Sequence, residues 1–402
     1  MLFPTLAFAA AALAETPPQP QDGSRPHSHT HAPAEIEEAH GPLLFQVTYT
    51  SELIGNAAGG VRRGARYLDN LDLVFEADLE KVAGWTGAQL HLYGLYNNGN
   101  SISDLVGDSH AVSNIETGVR AFRLYEAWID QKFGDKVSLR AGLYDLNSEF
   151  DALDASGLFV GSAHGIGTDF SQTGQNGPSI FPSTSLAARL QVEPAQGWAV
   201  RAAVLDAVPG DPARPGRTVI RLNKDEGALL VGEVQAPLGE GGKLLLGHWR
   251  YTARFDLTDG SGTGTGNAGT YIRAELPLSA APGRKLDGFA RFGTASGRFN
   301  MFDFFTSAGL KFTGWIPGRD EDEFGIALAA GFTAEPYRTA TGASASEIAV
   351  EATYRTQLAP WLAIQPHAQY IRRPSADPTF PDALVLGIRT EIGFDLFDLM
   401  GR

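Results

Sequence analysis

Charged and aromatic side chains recur at even spacings in parts of this chain, and even spacing places residues on one face of a strand. Glu126, Trp128 and Asp130 share one such face, and Arg140 shares another with Tyr144. Two carboxylates could hydrolyse a glycosidic bond, but Glu126 and Asp130 would lie about 13 Å apart at roughly 3.3 Å per residue. Since that separation is too long for glycoside hydrolysis, the pattern favours binding of a polar solute over catalysis.

Further charged side chains follow the same alternation. They are Arg189, Glu193, Arg201, Arg250, Arg273 and Arg389. We expect them to line a polar interior, where opposed arginines and carboxylates offer a polyhydroxyl solute hydrogen bonds in place of water. Binding there must be weak, because a tight site would retain its solute. The alternative is that these charges only pair with one another and line a nonspecific water-filled pore.

The composition excludes several classes of protein. The 402 residues include 32 Lys and Arg against 46 Asp and Glu, and no cysteine. Disulfides, thiolate nucleophiles and cysteine metal sites are therefore excluded, and the acidic balance argues against a nucleic-acid partner. No run of 18 apolar residues is present, so a chain that crosses a membrane would have to do so as a barrel. The motifs call for no cofactor and no metal in the strand-rich region.

Strand periodicity runs through the chain from Leu43 onward. In the segment 71–80, for example, Leu71 and Phe75 share one face while Asp72 and Glu76 share the other. Sixteen strands are predicted, beginning near Leu43, Tyr67, Gly87, Phe122, Lys136, Thr184, Gly197, Glu226, Gly242, Ala268, Leu286, Met301, Glu323, Ser346, Trp361 and Leu384. Aromatic residues near the strand ends suit a girdle at a membrane interface: Tyr49, Tyr67, Trp85, Phe133, Trp198, Trp249, Trp315, Trp361 and Phe394.

Long and short connections between these strands mostly alternate. The long ones are predicted at 51–66, 97–121, 145–183, 206–225, 255–267, 333–345 and 372–383. An even number of strands, with short turns at one end and longer loops at the other, is typical of an outer-membrane barrel. A soluble sandwich has the same alternation within its strands, but the loop asymmetry and the strand number disfavour it. We therefore predict an all-β fold, a sixteen-stranded antiparallel outer-membrane β-barrel over residues 43–397.

The two ends of the chain have other compositions. Residues 1–14 are apolar and end in Ala12-Leu13-Ala14, as a signal peptide does; the alternative is an apolar N-terminal helix of a cytosolic protein. Residues 15–42 are expected to form a disordered periplasmic tail rich in His and Pro. Its histidines could instead capture Zn²⁺ or Cu²⁺; they are His27, His29, His31 and His40. Residues 398–402 form a short C-terminal tail beyond the last aromatic residue, Phe397.

The longest connection, 145–183, is predicted to fold inward and narrow the barrel, because loops of this length are usually functional and a sixteen-stranded lumen can hold one. Its polar residues include Asn147, Glu149, Asp151, Asp169, Gln172, Gln175 and Asn176. Four phenylalanines are expected to be anchors or stacking faces for a solute: Phe150, Phe159, Phe170 and Phe181. The alternative is a mobile surface loop that never enters the lumen.

Segment 123–131, Arg-Leu-Tyr-Glu-Ala-Trp-Ile-Asp-Gln, followed by Leu-Arg-Ala-Gly at 139–142, resembles the core of the carbohydrate-selective porin (OprB) family. Segments 54–64, 177–182 and 365–374 resemble other parts of that family in the same order. The resemblance implies a sixteen-stranded outer-membrane channel for passive uptake of glucose and similar sugars. Its expected partners are small sugars and outer-membrane lipid, and the sequence leaves open whether it forms a homo-oligomer. Two alternatives are a channel of the same fold for organic anions, attracted by lumen arginines, and a barrel enzyme or adhesin without a channel.

Overall fold

The computed structural model describes residues 41–397, which form a closed antiparallel barrel in which consecutive strands are neighbours. The barrel strands are β1 (Leu43–Ala58), β2 (Gly64–Asp78), β3 (Ala88–Asn97), β4 (Ala121–Phe133), β5 (Val137–Tyr144), β6 (Ser185–Val192), β7 (Ala199–Asp206), β8 (Ala228–Leu238), β9 (Gly242–Tyr251), β12 (Ala268–Ala281), β13 (Arg284–Ala295), β14 (Phe302–Thr313), β15 (Glu323–Thr333), β16 (Ser346–Ala359), β17 (Leu362–Arg372) and β18 (Ala383–Asp395). A small hairpin, β10 (Arg254–Asp256) and β11 (Thr263–Thr265), lies in the connection after β9. The interpretations of residues 1–14 and 398–402, and of all but the last two residues of 15–42, fall outside the described part of the chain.

The helical elements are short and lie in the connections. They are α1 (Leu79–Ala83), α2 (Ser103–Val106), α3 (Thr168–Ser171) and α4 (Glu335–Thr341), with 3₁₀ turns at Leu146–Ser148, Ala155–Leu158, Ser162–His164 and Pro374–Ala376. Across residues 41–397, no helix has the length and apolar composition needed to cross a membrane.

All sixteen predicted barrel strands are present, and the predicted fold class is confirmed. One predicted connection, 51–66, is wrong, because β1 continues to Ala58 and leaves only 59–63 as a turn. The Asn56 amide closes this turn by donating to the carbonyls of Gly59 (2.9 Å), Arg62 (3.0 Å) and Leu105 (3.1 Å). The polar residues that suggested a loop are inward-facing strand positions, where the interior supplies their hydrogen-bond partners.

The two faces of the barrel wall differ in polarity. On β18, Leu384, Leu386 and Ile388 are exposed outward, whereas Val385 and Arg389 are buried on the inner face. The inner face carries charged side chains on strands around the ring, among them Glu52, Asp72, Glu126, Arg189, Glu233, Arg273, Arg291 and Glu351. A soluble sandwich would bury its apolar face instead, so this polarity is that of a barrel with an apolar exterior and a polar lumen.

The two ends of the barrel differ in their connections. At one end the turns are short, such as 134–136, 239–241 and 360–361, and at the other they reach the lengths of 98–120 and 145–184. Aromatic side chains are exposed at the short-turn end, where Trp85, Phe133, Trp198, Trp315 and Trp361 lie. The girdle prediction is wrong for Trp249, which is fully buried and stacked on Phe170 of 145–184, with ring centroids 5.0 Å apart.

The connections 98–120, here called L2, and 145–184, here called L3, pack against the inside of the wall. In L2 the buried apolar residues are Ile102, Leu105, Val106, Val112 and Ile115, and they form one cluster with wall residues of β1, β2, β16, β17 and β18. In L3, Phe150 and Phe170 join a cluster with Trp128, Trp249 and Tyr271. Each fully buried side chain of this size contributes about 1.5 to 3 kcal/mol, so apolar contact holds both segments inside the barrel.

Replacing Ile388 with Arg should impair assembly, because the side chain is exposed on the apolar exterior near the middle of β18. A charge at this depth in a bilayer costs about 2 to 4 kcal/mol. Urea titration of the vesicle-embedded barrel, followed by its gel mobility before and after heating, measures the loss. Gln357→Arg on the inner face of β16 is the control, and equal losses in the two variants would contradict the assignment of the faces.

Candidate functional site

A cluster of four fully buried charged side chains fixes the middle of L3 to the wall. Asp151 lies 3.2 Å from Arg273 and 2.7 Å from Arg291, and Arg291 also reaches Asp169 at 2.6 Å. A Cβ atom at Gly293 would lie 2.1 Å from the Asp169 carboxylate, so a larger residue at this wall position would displace Asp169 from its pair with Arg291. Because every charge in this four-residue cluster has an oppositely charged partner, L3 and the wall compensate each other's buried charge.

A second cluster joins the start of L3 to β4, β5 and β6. The Arg189 guanidinium lies 2.8 Å from Asp130 and 2.7 Å from Glu149, and Arg140 Nε donates to Asp130 at 3.0 Å. Arg140 also lies over the Trp128 ring, 3.7 Å from its centroid. The cluster thus brings two arginines and two carboxylates together at one place on the inner wall, and the Trp128 ring is enclosed between Arg140 and His91.

The charges of this cluster lower the pKa of the Glu149 carboxyl group in L3. Burial alone would raise its pKa, but the charges of Arg140 and Arg189 outweigh burial and lower the pKa from 4.5 to about 2. The Tyr144 hydroxyl adds a hydrogen bond to the carboxylate at 2.5 Å. Glu149 therefore stays ionised, and its negative charge offsets the arginines of the wall.

Two glutamates on β16 hold the far side of L2 and L3 through backbone amides. Glu351 accepts from the amides of Val160 (2.7 Å) and Gly161 (2.9 Å) in L3. Four residues earlier on the same face, Glu347 accepts from the amides of Ser109 (2.9 Å) and His110 (3.0 Å) in L2. Since L3 starts after β5 and reaches β16, it crosses the barrel interior.

The remaining residues of the predicted solute pathway lie on separate strands, each with its own partner. Arg201 is half-buried and pairs with Glu233 at 3.1 Å, and Arg389 is buried and pairs with Glu52 at 2.7 Å. Glu126 is buried in the wall of β4 and accepts from the Trp128 indole at 3.1 Å.

Two of these placements are corrected by the structure. Glu193 lies beyond the end of β6 and is exposed in a short turn, where it accepts from Gln191 at 2.5 Å. Arg250 is exposed on the outer face, since the inward positions of β9 carry Trp249 and Tyr251, which pack against L3. The charge of Arg250 predicts that it faces a polar lumen, but the inner face of β9 packs against apolar side chains of L3.

The predicted L3 residues also separate into two groups. Asn147, Glu149, Asp151 and Asp169 lie among wall or loop contacts inside the barrel, whereas Gln172, Gln175 and Asn176 are exposed. Three of the four phenylalanines are fully buried, and Phe181 alone of the four keeps a partly exposed ring.

Sequence reasoning missed the residues that anchor the loops rather than face a solute. Glu347 and Glu351 lie on one polar face of a strand, but nothing in the sequence pairs a wall glutamate with backbone amides of a distant loop. For L2, the sequence predicts only a long connection between two strands. Its five buried apolar residues between 102 and 115 are the signal that it packs inside the barrel.

The arginines of the inner network are paired with carboxylates. Five arginines of the wall pair with five carboxylates of the wall and L3. The arginines are Arg140, Arg189, Arg201, Arg273 and Arg291, and the carboxylates are Asp130, Glu149, Asp151, Asp169 and Glu233. Further carboxylates of the inner face, such as Glu347 and Glu351, accept backbone amides instead, so the described interior has no excess of positive charge.

A closed sixteen-stranded barrel with an apolar exterior, a polar lumen and a connection crossing the interior defines an outer-membrane porin. The family model of the carbohydrate-selective porins, OprB family, matches residues 62–394, and the chain belongs to this family. It is 24% identical to Porin B of Pseudomonas aeruginosa over 408 residues, which covers 87% of each chain. The protein is thus a channel and not an enzyme.

Solved structures share the fold. The structure of Pseudomonas putida OprB at high pH superposes with a TM-score of 0.77 at 22% identity, covering 88% of this chain and 94% of that one. The outer membrane channel DcaP of Acinetobacter baumannii gives a TM-score of 0.52 at 11% identity, covering 88% and 96% of the two chains.

Asp151→Asn should loosen L3, because Arg273 and Arg291 would then be buried without their shared partner. Breaking a buried pair from one side costs about 3 to 5 kcal/mol. Protease cleavage within L3 of the vesicle-embedded protein should become faster. Asp154→Asn is the matched control, since that side chain is 86% exposed in its pair with Lys243. Cleavage at equal rates in the two variants would contradict the claim that the buried ion pairs of Asp151 hold L3.

Acid should release the start of L3. Because the pKa of Glu149 is lowered from 4.5 to about 2, its stabilising contribution is complete above about pH 4.5 and is lost as the pH falls toward 2. Single-channel current recorded from pH 7 down to pH 2.5 should become noisier only below about pH 4.5. Glu149→Gln should give the noisy current already at pH 7. A variant that matched the wild type at every pH would contradict this role.

Proposed function

We propose that the lumen passes neutral small carbohydrates, such as glucose, by passive diffusion past L3. The observation that carries this proposal is the pairing of the five inner-network arginines with carboxylates, which leaves none of the five free to attract an anion. A neutral solute carries no charge that the lumen would have to compensate, and it gains hydrogen bonds to fixed donors and acceptors. The narrowing of the pore by L3 belongs to the same proposal.

Within this proposal the predicted pathway residues have two roles. Arg273 is buried and donates to the Gly165 and His164 carbonyls of L3, and Arg389 is buried and donates to the Ser113 hydroxyl of L2, so both hold loops rather than contact the solute. In the cluster of Asp130, Arg140 and Glu149, the partly exposed member is Glu149, so its carboxylate is the group that can offer a solute a charge-assisted hydrogen bond. Arg201 lies half-buried nearer the short-turn end, where it adds a further donor.

The anion alternative depends on free lumen arginines. In the described network each of the five arginines lies within 3.2 Å of a carboxylate oxygen, so an anion would have to displace an existing pair. This favours the neutral solute. Lipid acyl chains are the proposed neighbours of the exterior, including a shallow apolar depression lined by Ala290, Ala308 and Gly309.

The test is liposome swelling in isotonic glucose and in isotonic sodium gluconate. Wild-type protein should admit glucose faster than gluconate. Arg140→Ala leaves Asp130 and Glu149 with one arginine fewer, so the glucose-to-gluconate ratio should rise by about threefold or more. Arg250→Ala, a matched change on the outer face, should leave the ratio unchanged. Faster swelling in gluconate than in glucose would overturn the proposal.

A further inference from the structure

The connection between β7 and β8, residues 207–227 and here called L4, follows a low part of the barrel wall. The strands β5, β6 and β7 have eight residues each, whereas β4 has thirteen. At about 3.3 Å per residue and a tilt of about 40°, eight residues rise roughly 20 Å, short of the apolar band of about 25 Å. L4 therefore leaves the wall near the membrane surface, at the long-loop end that faces outside the cell in such barrels.

L4 lies against the upper part of β4. This strand pairs with β5 over 127–133, so its residues 121–126 rise above β5. The Thr218 hydroxyl of L4 donates to the Leu124 carbonyl at 2.9 Å, and the Arg123 guanidinium donates to the Pro215 carbonyl at 2.6 Å. L4 is thus joined to the upper edge of the wall beside the short strands.

Large apolar side chains are exposed within a few residues of this contact. Ile220 and Leu222 of L4 are 57% and 72% exposed, and Phe122 and Leu124 of β4 are 60% and 43% exposed. Leu124 lies nine residues from Phe133 at the short-turn end of β4, which places it about 23 Å up the wall. These four side chains therefore lie at the upper edge of the apolar band, where acyl chains can cover them.

The same stretch of L4 is rich in cations. Segment 212–224 contains no Asp or Glu, although the whole chain has 46 acidic residues against 32 Lys and Arg. Asp211 and Glu226, which flank this segment, pair with Arg214 and Arg221. Within residues 41–397, these pairs leave Arg217 and Lys224 as exposed cations of L4 without a carboxylate partner.

A further cation comes from the start of β4. Arg120 is exposed and donates to the Tyr96 hydroxyl at 3.1 Å. L4 passes close to it, since a Cβ atom at Gly216 would lie 3.6 Å from the Arg120 carbonyl oxygen. Asp225 is the exposed carboxylate of L4, so the exposed cations outnumber the exposed anions on this surface.

Exposed cations beside exposed apolar side chains match the two parts of an anionic lipid. Apolar side chains alone would suit any acyl chain, whereas Arg and Lys favour a phosphate that carries net negative charge. The long stems of Arg and Lys cover apolar surface while their charged ends reach the headgroup level. Each such residue near an anionic membrane surface strengthens binding about fivefold.

We infer that L4, together with Phe122 and Leu124 of β4, is a docking surface for an anionic, phosphate-bearing lipid of the outer leaflet. Its acyl chains pack on Ile220 and Leu222, and its phosphate binds Arg217 and Lys224. The bound lipid covers the wall above the short strands β5 to β7. This surface lies on the outside of the barrel, so it is independent of the solute that passes through the lumen.

Native mass spectrometry of the whole detergent-solubilised protein tests this inference. The protein is titrated with phosphatidylglycerol, which is anionic, or with zwitterionic phosphatidylcholine of the same acyl chains. The wild type should bind phosphatidylglycerol about tenfold more tightly than phosphatidylcholine. Arg217→Gln combined with Lys224→Gln should weaken phosphatidylglycerol binding about tenfold or more. Ile220→Ser combined with Leu222→Ser should weaken binding of both lipids, because it removes the apolar contact.

Arg254→Gln combined with Arg298→Gln is the matched control and should bind both lipids as the wild type does. These two cations are exposed at the same end of the barrel. Their connections lean over the lumen instead, since the Phe255 ring lies 5.2 Å from that of the inward-facing Tyr251.

Two results would overturn the docking surface. One is equal binding of the two lipids by the wild type, and the other is an equal loss in the L4 charge variant and its control. Heat-dependent gel mobility reports the folding of each variant. If one of the two L4 variants does not fold, the other, compared with the control, decides the question.

Discussion

Charge inside the barrel cannot be left unpaired, and the position of L3 follows from this constraint. Arg273 and Arg291 point inward from neighbouring strands, where an isolated guanidinium would lose its hydration. Asp151 and Asp169 of L3 supply the compensating charge. Glu351 then fixes the far side of L3 through two backbone amides. The wall and the loop are thus two halves of one polar core.

This arrangement has a functional consequence. Arginines that hold L3 are not available to attract an anion, so a sixteen-stranded barrel rich in lumen arginine is suited to neutral solutes. Apolar contact between L2 and the wall, centred on Ile102 and Leu105, adds a second fixed segment. We propose that selectivity arises from the space that the two docked loops leave open rather than from the width of the barrel, which alone would admit larger solutes.

Period-two alternation predicted all sixteen strands because each strand faces two different solvents, lipid outside and a polar lumen inside. It failed where the lumen is apolar: beside L3, β9 turns Trp249 inward and Arg250 outward. It also failed at 51–58, where inward polar residues imitate a loop. The sequence identified the carboxylates of L3 as candidate polar residues but not their partners in the wall. Sequence spacing carries no information about contacts between distant segments, such as that between Glu351 and Val160.

The central claim is that sugars pass a lumen in which L3 stays docked, and a covalent tether tests it most directly. The chain has no cysteine, so cysteines placed at Leu158 in L3 and at Gln365 on β17, which are in contact through the Leu158 carbonyl, would be the only thiols. Bridging them with a short thiol-specific linker should leave glucose swelling at the rate of the unbridged protein. Loss of glucose uptake on bridging, restored when the linker is cleaved, would show that L3 must undock and would contradict the account.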